Sequence, residues 1–318
     1  MNLLPFFKQE RKLIRSICSV GLALLVILSF AWLGYWMPTK GIEEKPFFEN
    51  KKEGPLVIAH RGGESLAPAN TMAAFENAVE MGVDVIETDI HITKDGHLVT
   101  IHDPTVNNTT DGQGEVAEYT LEELQKLDAG YYYRDKNGEH SFRGKGVYIP
   151  TLEEVFRSFP NMKFNIEIKY DNPPQSIKEI ITKLYSLIKA YNMEEKVLVF
   201  SFDQKIINSF KKYSHDEIAV QGGTKEVEKF MVLHSLFLRN LYTPKADGFQ
   251  LPLKIEGYDL STKRVIENAH RQGLRIYYWT INDRKTMKEL IKKGADGIIT
   301  DRPDLLIEVL KKRGYDKH

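Results

Sequence analysis

From Leu56 to the C-terminus, short apolar runs rich in β-branched residues alternate with stretches whose apolar positions recur at helical spacing. That alternation predicts parallel strands joined by helical crossovers. The strand-like runs are Leu56 to His60, Val85 to Ile90, Phe164 to Lys169, Val197 to Phe202, Ile218 to Gln221, Gly248 to Leu251, Arg275 to Thr280 and Gly297 to Thr300. Helical patterns fall between them at Thr71 to Met81, Ile177 to Tyr191, Gln204 to Lys212, Thr262 to Gln272 and Arg284 to Lys293, and Pro303 is placed to open a last one. A further strand, His97 to Ile101, follows the Asp95-Gly96 turn signal and should fold back on its predecessor as a hairpin. Eight strands with crossovers suit an α/β fold of the TIM type, a (β/α)8 barrel, in a domain of this size; a doubly wound open sheet is the competitor, and the clustering of chemically loaded residues at the C-terminal ends of several strands favours the barrel.

The N-terminal part has a different pattern. No charged residue occurs from Ser16 to Thr39, and the run at 16–37 is long enough for a helix to cross a bilayer. Lys8, Arg11, Lys12 and Arg15 precede it, which places the N-terminus in the cytoplasm by the bias of basic residues. The run ends in Gly34, Tyr35, Trp36 and Met37, without the small-x-small pattern of a cleaved signal peptide. The expected organisation is a cytoplasmic segment at 1–15 and a transmembrane anchor at 16–37 with the lipid bilayer as partner. A linker at 38–54 and a barrel domain at 55–318 outside the cytoplasm follow, the domain carrying an insertion at about 104–150.

Polar residues interrupt the strand pattern where barrel active sites form, at the C-terminal strand ends. The first strand delivers His60 just before Arg61, Gly62 and Gly63. In the second, alternation puts Glu87, Asp89 and His91 on one face, and carboxylates sharing a pocket imply a cation or a shared proton between them. His102 and Asp103 close the hairpin and can return a second imidazole to the same mouth, whereas His91 and His97 read as structural or exposed. In FNIEIKY, Asn165, Glu167 and Lys169 share a face that an inert core would fill with branched apolar side chains. Glu87, Asp89 and Glu167 form an all-oxygen set suited to Mg²⁺ or Ca²⁺, and Arg61 and Lys169 supply positive charge for a phosphate.

In their order, His60-Arg61-Gly62, Glu87-x-Asp89, His102-Asp103 and Glu167-x-Lys169 resemble the glycerophosphodiester phosphodiesterase family. The segments TKDGHLVTIHDPTVNNTTDGQGEV, TLEELQKLDAG, IPTLEEVF, YYWTIND and DGIITDRPD extend the likeness over nearly all of the chain from Leu56. The resemblance implies an α/β barrel that hydrolyses glycerophosphodiesters to glycerol phosphate and an alcohol. It implies that Glu87, Asp89 and Glu167 bind a divalent cation, that His60 and His102 are the acid–base pair, and that Arg61 and Lys169 hold the phosphate. Trp279 would form an apolar wall for the substrate's carbon skeleton. One position departs from the pattern: where the family reads Pro-Glu-Asn-Thr, this chain has Pro68-Ala69-Asn70-Thr71, so any contact of that glutamate near Arg61 must come from elsewhere, Glu64 being the nearest candidate in sequence.

Charge balance narrows the partners: Lys plus Arg equals Asp plus Glu at 44 each, so no global field recruits nucleic acid. Cys18 is the single cysteine, which leaves the barrel with no disulfide and no thiolate metal site. Two neighbouring activities share this pattern, a lysophospholipase D and a phosphatidylinositol phospholipase. A silent barrel that binds phosphate polymers at a membrane is the alternative of another class.

Overall fold

The computed structural model describes residues 16–29, 32, 42–49, 54–236 and 238–315. Two compact units emerge: Gly41–Val227 with Pro244–His318, and Glu228–Thr243 with the described part of Met1–Lys40.

The larger unit is built on β1 (Leu56–Ala59), β2 (Val85–Ile92), β3 (Leu98–Thr100), β4 (Lys163–Ile168), β5 (Val197–Phe200), β6 (Ala219–Gly222), β7 (Gly248–Leu251), β8 (Lys254–Ile255), β9 (Tyr258–Asp259), β10 (Arg275–Tyr278) and β11 (Gly297–Thr300). The main sheet runs β1-β11-β10-β7-β6-β5-β4-β2-β3, and an additional pairing of β1 with β2 closes it into a barrel of eight parallel strands. β3 is the exception, lying antiparallel on the end of β2 as the hairpin pattern predicts. The eight barrel strands fall on the eight apolar runs, because strands covered on both faces must be apolar almost throughout.

Crossover helices start where side chains can cap them. Thr71 caps Met72–Met81, Asp203 caps Gln204–Tyr213, Thr262 caps Lys263–His270 and Asp283 caps Arg284–Lys293, each accepting a backbone N–H of the first turn. Leu152–Ser158 opens with a full capping box between Thr151 and Glu154. The insertion after β3 has its own apolar cluster, in which Val106, Val116, Leu124 and Ala129 pack with Val99 and Ile101.

Apolar side chains fill the N-terminal end of the barrel. Leu56, Ile58, Val85, Leu198, Ala219, Tyr277 and Ile299 form one cluster, closed by Phe47 and Phe48 from the segment before the first strand. Pro46–Phe48 is a 3-10 turn whose two rings meet edge to face at 5.3 Å. Part of the expected linker therefore belongs to the barrel core. At mid-barrel the filling turns polar, with Gln250 donating to Asn165 at 2.9 Å, and the C-terminal end is left for the site.

In the smaller unit, Phe230 is buried between the rings of His234, 4.0 Å away, and Tyr242, 5.5 Å away. The N-terminal helix corrects the expected anchor. Among the described residues no helix is long and apolar enough to cross a membrane. The single-pass membrane location, and the lipid bilayer as partner through 16–37, are not borne out. The flanking residues 1–15, 30–31 and 33–41 lie outside the described residues.

Candidate active site

Strand register assembles the site. β2 and β4 are parallel with Asp89 opposite Glu167 and Glu87 opposite Asn165, so alternation aims all three carboxylates inward at neighbouring heights. β1 pairs with β2 through Ala59 and Ile86, and with β11 through Ala59 and Thr300. The next residue of each strand then brings His60 between Glu87 on one side and Asp301 on the other. The chain leaves β1 in a tight turn in which Arg61 takes a left-handed φ of 50°. Gly62 has φ +82° and lies so close to the helix Met72–Met81 that a Cβ there would stand 2.7 Å from Ala74 Cβ. The turn points the Arg61 backbone N–H at Glu87 Oε2, 2.8 Å away.

Glu87, Asp89 and Glu167 are buried, and each offers an oxygen such that all lie within 4.8 Å of one another. Burial, reinforced by Asp89, pushes Glu87 up to about 7 and Glu167 up to about 8. Asp89 is held below the usual carboxylate range: burial opposes this, but Lys169 Nζ at 3.6 Å and Arg61 Nε at 3.5 Å outweigh it. Lys169 Nζ is also 3.3 Å from Glu167 Oε1, close enough for an ion pair but without hydrogen-bond geometry, so that buried oxygen has no hydrogen-bond partner among the described residues. Ionised together, the three carboxylates would outnumber the two cations beside them. A divalent cation is what this donor set fits.

Each imidazole is backed by a carboxylate. His60 Nδ1 lies 2.5 Å from Asp301 Oδ1, and its Nε2 lies 4.0 Å from Glu87 Oε2. Burial alone would lower the His60 pKa, but Glu87 and the Asp301 hydrogen bond raise it. His102 Nδ1 lies 2.7 Å from Asp103 Oδ1, whose other oxygen accepts from Asn108 at 3.0 Å.

A cavity offering about 100 Å³ to water opens among these groups, lined by His60, Arg61, Glu87, Asp89, His102 and Glu167, with Phe200, Phe202 and Trp279 as an apolar side. Trp279 stands edge to face on Phe202 at 5.5 Å, and its buried indole N–H has no hydrogen-bond partner among the described residues. Of the eight residues that the sequence singles out, seven line this cavity and Lys169 reaches its carboxylates from behind. His91 does not join them: it is buried with Nε2 3.1 Å from the His102 carbonyl, while His97 is half exposed.

Several residues at the site carry no signal of their own in the pattern. Asp301 and Asn282 sit in segments noted only for resemblance, yet Asn282 donates to Asp301 Oδ2 at 2.5 Å and accepts from the Asp301 backbone N–H at 2.9 Å. Asn70, with φ 57°, donates to Asp89 Oδ2 at 3.0 Å and accepts from Thr88 Oγ1 at 2.7 Å. The signal available for Asp301 is positional, since it follows the last barrel strand as His60 follows the first. At the departing position, Arg61 Nη1 donates to Glu64 Oε2 at 2.9 Å, so Glu64 supplies a carboxylate partner on that side of Arg61 where the chain has Ala69. A second cavity of about 270 Å³ opens over Ala69 and shares Arg61 and His102 with the first.

The sequence model of the glycerophosphoryl diester phosphodiesterase family matches residues 60–305. A glycerophosphodiester phosphodiesterase from Caldanaerobacter subterraneus subsp. tengcongensis is 38% identical over 265 residues, covering 81% of this chain and 99% of that protein. Another glycerophosphodiester phosphodiesterase, from Bacillus altitudinis, is 34% identical over 257 residues, covering 80% and 97%. Among solved structures, an Oleispira antarctica phosphodiesterase in complex with the product sn-glycerol-3-phosphate is 25% identical with a TM-score of 0.65, over 81% of this chain and 97% of that one.

Proposed function

Since the chain belongs to the glycerophosphoryl diester phosphodiesterase family and so is a hydrolase of glycerophosphodiesters, we propose that it does this chemistry at the carboxylate cavity with two histidines and a divalent cation. The observation that carries this reading is the convergence of Glu87, Asp89 and Glu167 within 4.8 Å, with both imidazoles bordering the same cavity.

A phosphodiester resists hydrolysis because its anionic oxygens repel the nucleophile and an alkoxide leaves poorly. Glu87, Asp89 and Glu167 would hold the cation, Mg²⁺ or Ca²⁺ by the chemistry of an all-oxygen set, and the bound ion would supply positive charge to the phosphoryl oxygens. Arg61, whose buried Nε has no hydrogen-bond partner among the described residues, orients the phosphate, and Arg61 and Lys169 both add to that charge. The product named for the Oleispira antarctica phosphodiesterase, sn-glycerol-3-phosphate, suggests glycerol phosphate as the part retained, with Trp279 and Phe202 walling its carbon skeleton.

Proton traffic falls to the histidines. With Nδ1 tied to Asp301, His60 turns Nε2 to the cavity and takes the proton of the attacking hydroxyl as its oxygen bonds to phosphorus. His102, with Nδ1 tied to Asp103, gives a proton from Nε2 to the departing oxygen as its bond to phosphorus breaks. His60→Ala and His102→Ala should each lower kcat about 10²- to 10⁴-fold, the usual scale for general acid–base groups. Dialysis of the purified protein against a chelator should abolish hydrolysis of glycerophosphocholine, and Mg²⁺ or Ca²⁺ should restore it. A full rate after chelation would sink the ion site.

A further inference from the structure

His91 lies in β2 two residues beyond Asp89, is 2% exposed, and does not line the carboxylate cavity. The chemistry above leaves it without a role. We propose that His91 is a positioning residue for the proton donor, fixing the backbone from which His102 reaches the leaving oxygen. The inference rests on the reading of His102 as that donor.

The need for an anchor follows from where His102 sits. β3 ends at Thr100, and one more backbone bond, from the Ile101 N–H to the Asp89 carbonyl at 3.1 Å, continues its pairing with β2. His102 comes next, already in the bend that leads to the insertion. Its side chain is 38% exposed, so packing alone does not hold the imidazole where a proton has to be delivered. Hydrogen bonds do: Nδ1 is tied to Asp103, and the His102 carbonyl lies 3.1 Å from His91 Nε2. Asp103 and its partner Asn108 follow His102 in the chain and leave with it toward the insertion. The tie to His91 runs the other way, to the strand that carries Glu87 and Asp89.

An anchor must itself be fixed and must have its donor on the correct atom. Asn172 clamps β2 on both sides of His91, accepting from the Ile92 backbone N–H at 3.1 Å and donating to the Ile90 carbonyl at 3.1 Å. The two oxygens that face Nε2, the His102 carbonyl and Asp171 Oδ1 at 3.7 Å, are both acceptors. The ring proton therefore resides on Nε2 and is donated to the carbonyl. Without that bond the peptide joining His102 to Asp103 is free to turn, and both members of the donor pair move with it. A displacement of about 1 Å in such a group is enough to cost about 10²-fold in rate.

The test isolates proton delivery by changing the leaving group. The p-nitrophenyl diester of glycerol phosphate releases an anion that needs no proton, whereas glycerophosphocholine releases an alkoxide that does. His102→Ala should therefore slow glycerophosphocholine far more than the p-nitrophenyl diester. His91→Leu should do the same to a smaller degree, lowering kcat for glycerophosphocholine about 10- to 100-fold and kcat for the p-nitrophenyl diester less than about threefold. His91→Gln, whose amide N–H donates to a carbonyl as the imidazole does, should recover most of the loss. Both rates are read on one sample, so their ratio is independent of the fraction folded, and His91→Phe supplies a second variant without the donor that keeps a ring in the site. If His102→Ala is selective and the ratio is unmoved by His91→Leu and His91→Phe, the positioning role falls and the acid–base reading stands. A loss in His91→Gln as large as in His91→Leu would overturn the hydrogen bond as its cause. If His102→Ala slows both diesters alike, the reading of His102 as donor falls and this proposal with it.

Discussion

Asp301 Oδ1 lies 2.5 Å from His60 Nδ1, across a seam where the last barrel strand meets the first. The carboxylate is itself fixed, because Asn282 donates to its second oxygen and the hydrogen bond to His60 helps hold it ionised against its burial. Asp301 should therefore set the imidazole's tautomer and orientation without touching substrate. Asp301→Asn should lower kcat on the order of 10²-fold. It should also shift the acidic limb of kcat/KM. His60 must be neutral to accept a proton, and Asp301 raises its pKa, so without that charge the limb should move to lower pH. A lower rate with an unmoved limb would reduce Asp301 to a structural role.

Asn70 does for Asp89 what Asp301 does for His60. Its side chain spans Thr88 Oγ1 and Asp89 Oδ2, and its carbonyl accepts from Thr100 Oγ1 at 2.8 Å, which ties the turn before the first crossover helix to β2 and β3. Asn70→Ala should weaken divalent-ion binding about 10- to 100-fold, as loss of a group that orients a ligand does. Titration calorimetry of the chelator-treated protein checks this. Unchanged affinity would mean that Lys169 and Arg61 alone hold Asp89 in place.

Period and strand-end chemistry made the barrel legible. A parallel strand covered on both faces has to be apolar, so Glu87, Asp89 and Glu167 stood out against their neighbours, and their alternation put them on one face before any pairing was known. Asp301 and Asn282 did not stand out, because their value depends on the closure that sets β11 beside β1, and closure has no local signature. His91 was on the right face by alternation, yet its buried ring turns to the His102 carbonyl. The N-terminal run misled for a related reason: absence of charge says that a helix could enter a membrane, yet among the described residues no helix is long and apolar enough to cross one.

Phe47 and Phe48 show the same limit on the packing side. They lie in a polar, charged stretch that reads as a spacer, but the open N-terminal end of the barrel needs apolar cover, and Phe47 is 1% exposed. Lys163 also anchors this turn through the Phe47 carbonyl at 2.6 Å. Phe47→Ala should cost about 3–5 kcal/mol, the range for removing a buried aromatic ring. Urea unfolding of the variant checks it. A loss below about 1 kcal/mol would mean that the segment decorates the barrel instead of sealing it.

The carboxylate cluster makes a prediction that joins stability, pH and ion binding. Glu87 and Glu167 have pKa values of about 7 and about 8 in the fold, against 4.5 when exposed to water. Between those limits the native state holds protons that the unfolded chain has released, so these groups' contribution to stability falls as pH rises through the window. An ion reverses the sign, because it binds the ionised carboxylates and must displace any proton still there. The rise in Tm on adding Mg²⁺ or Ca²⁺ should then be larger at about pH 8.5 than at about pH 6, where protons compete. Scanning calorimetry of the chelator-treated protein, with and without ion at both pH values, measures it. Substituting Glu167→Gln should remove most of the difference, since a neutral amide releases no proton and adds no charge. An ion-induced shift of the same size at both pH values would place the cation away from Glu87 and Glu167.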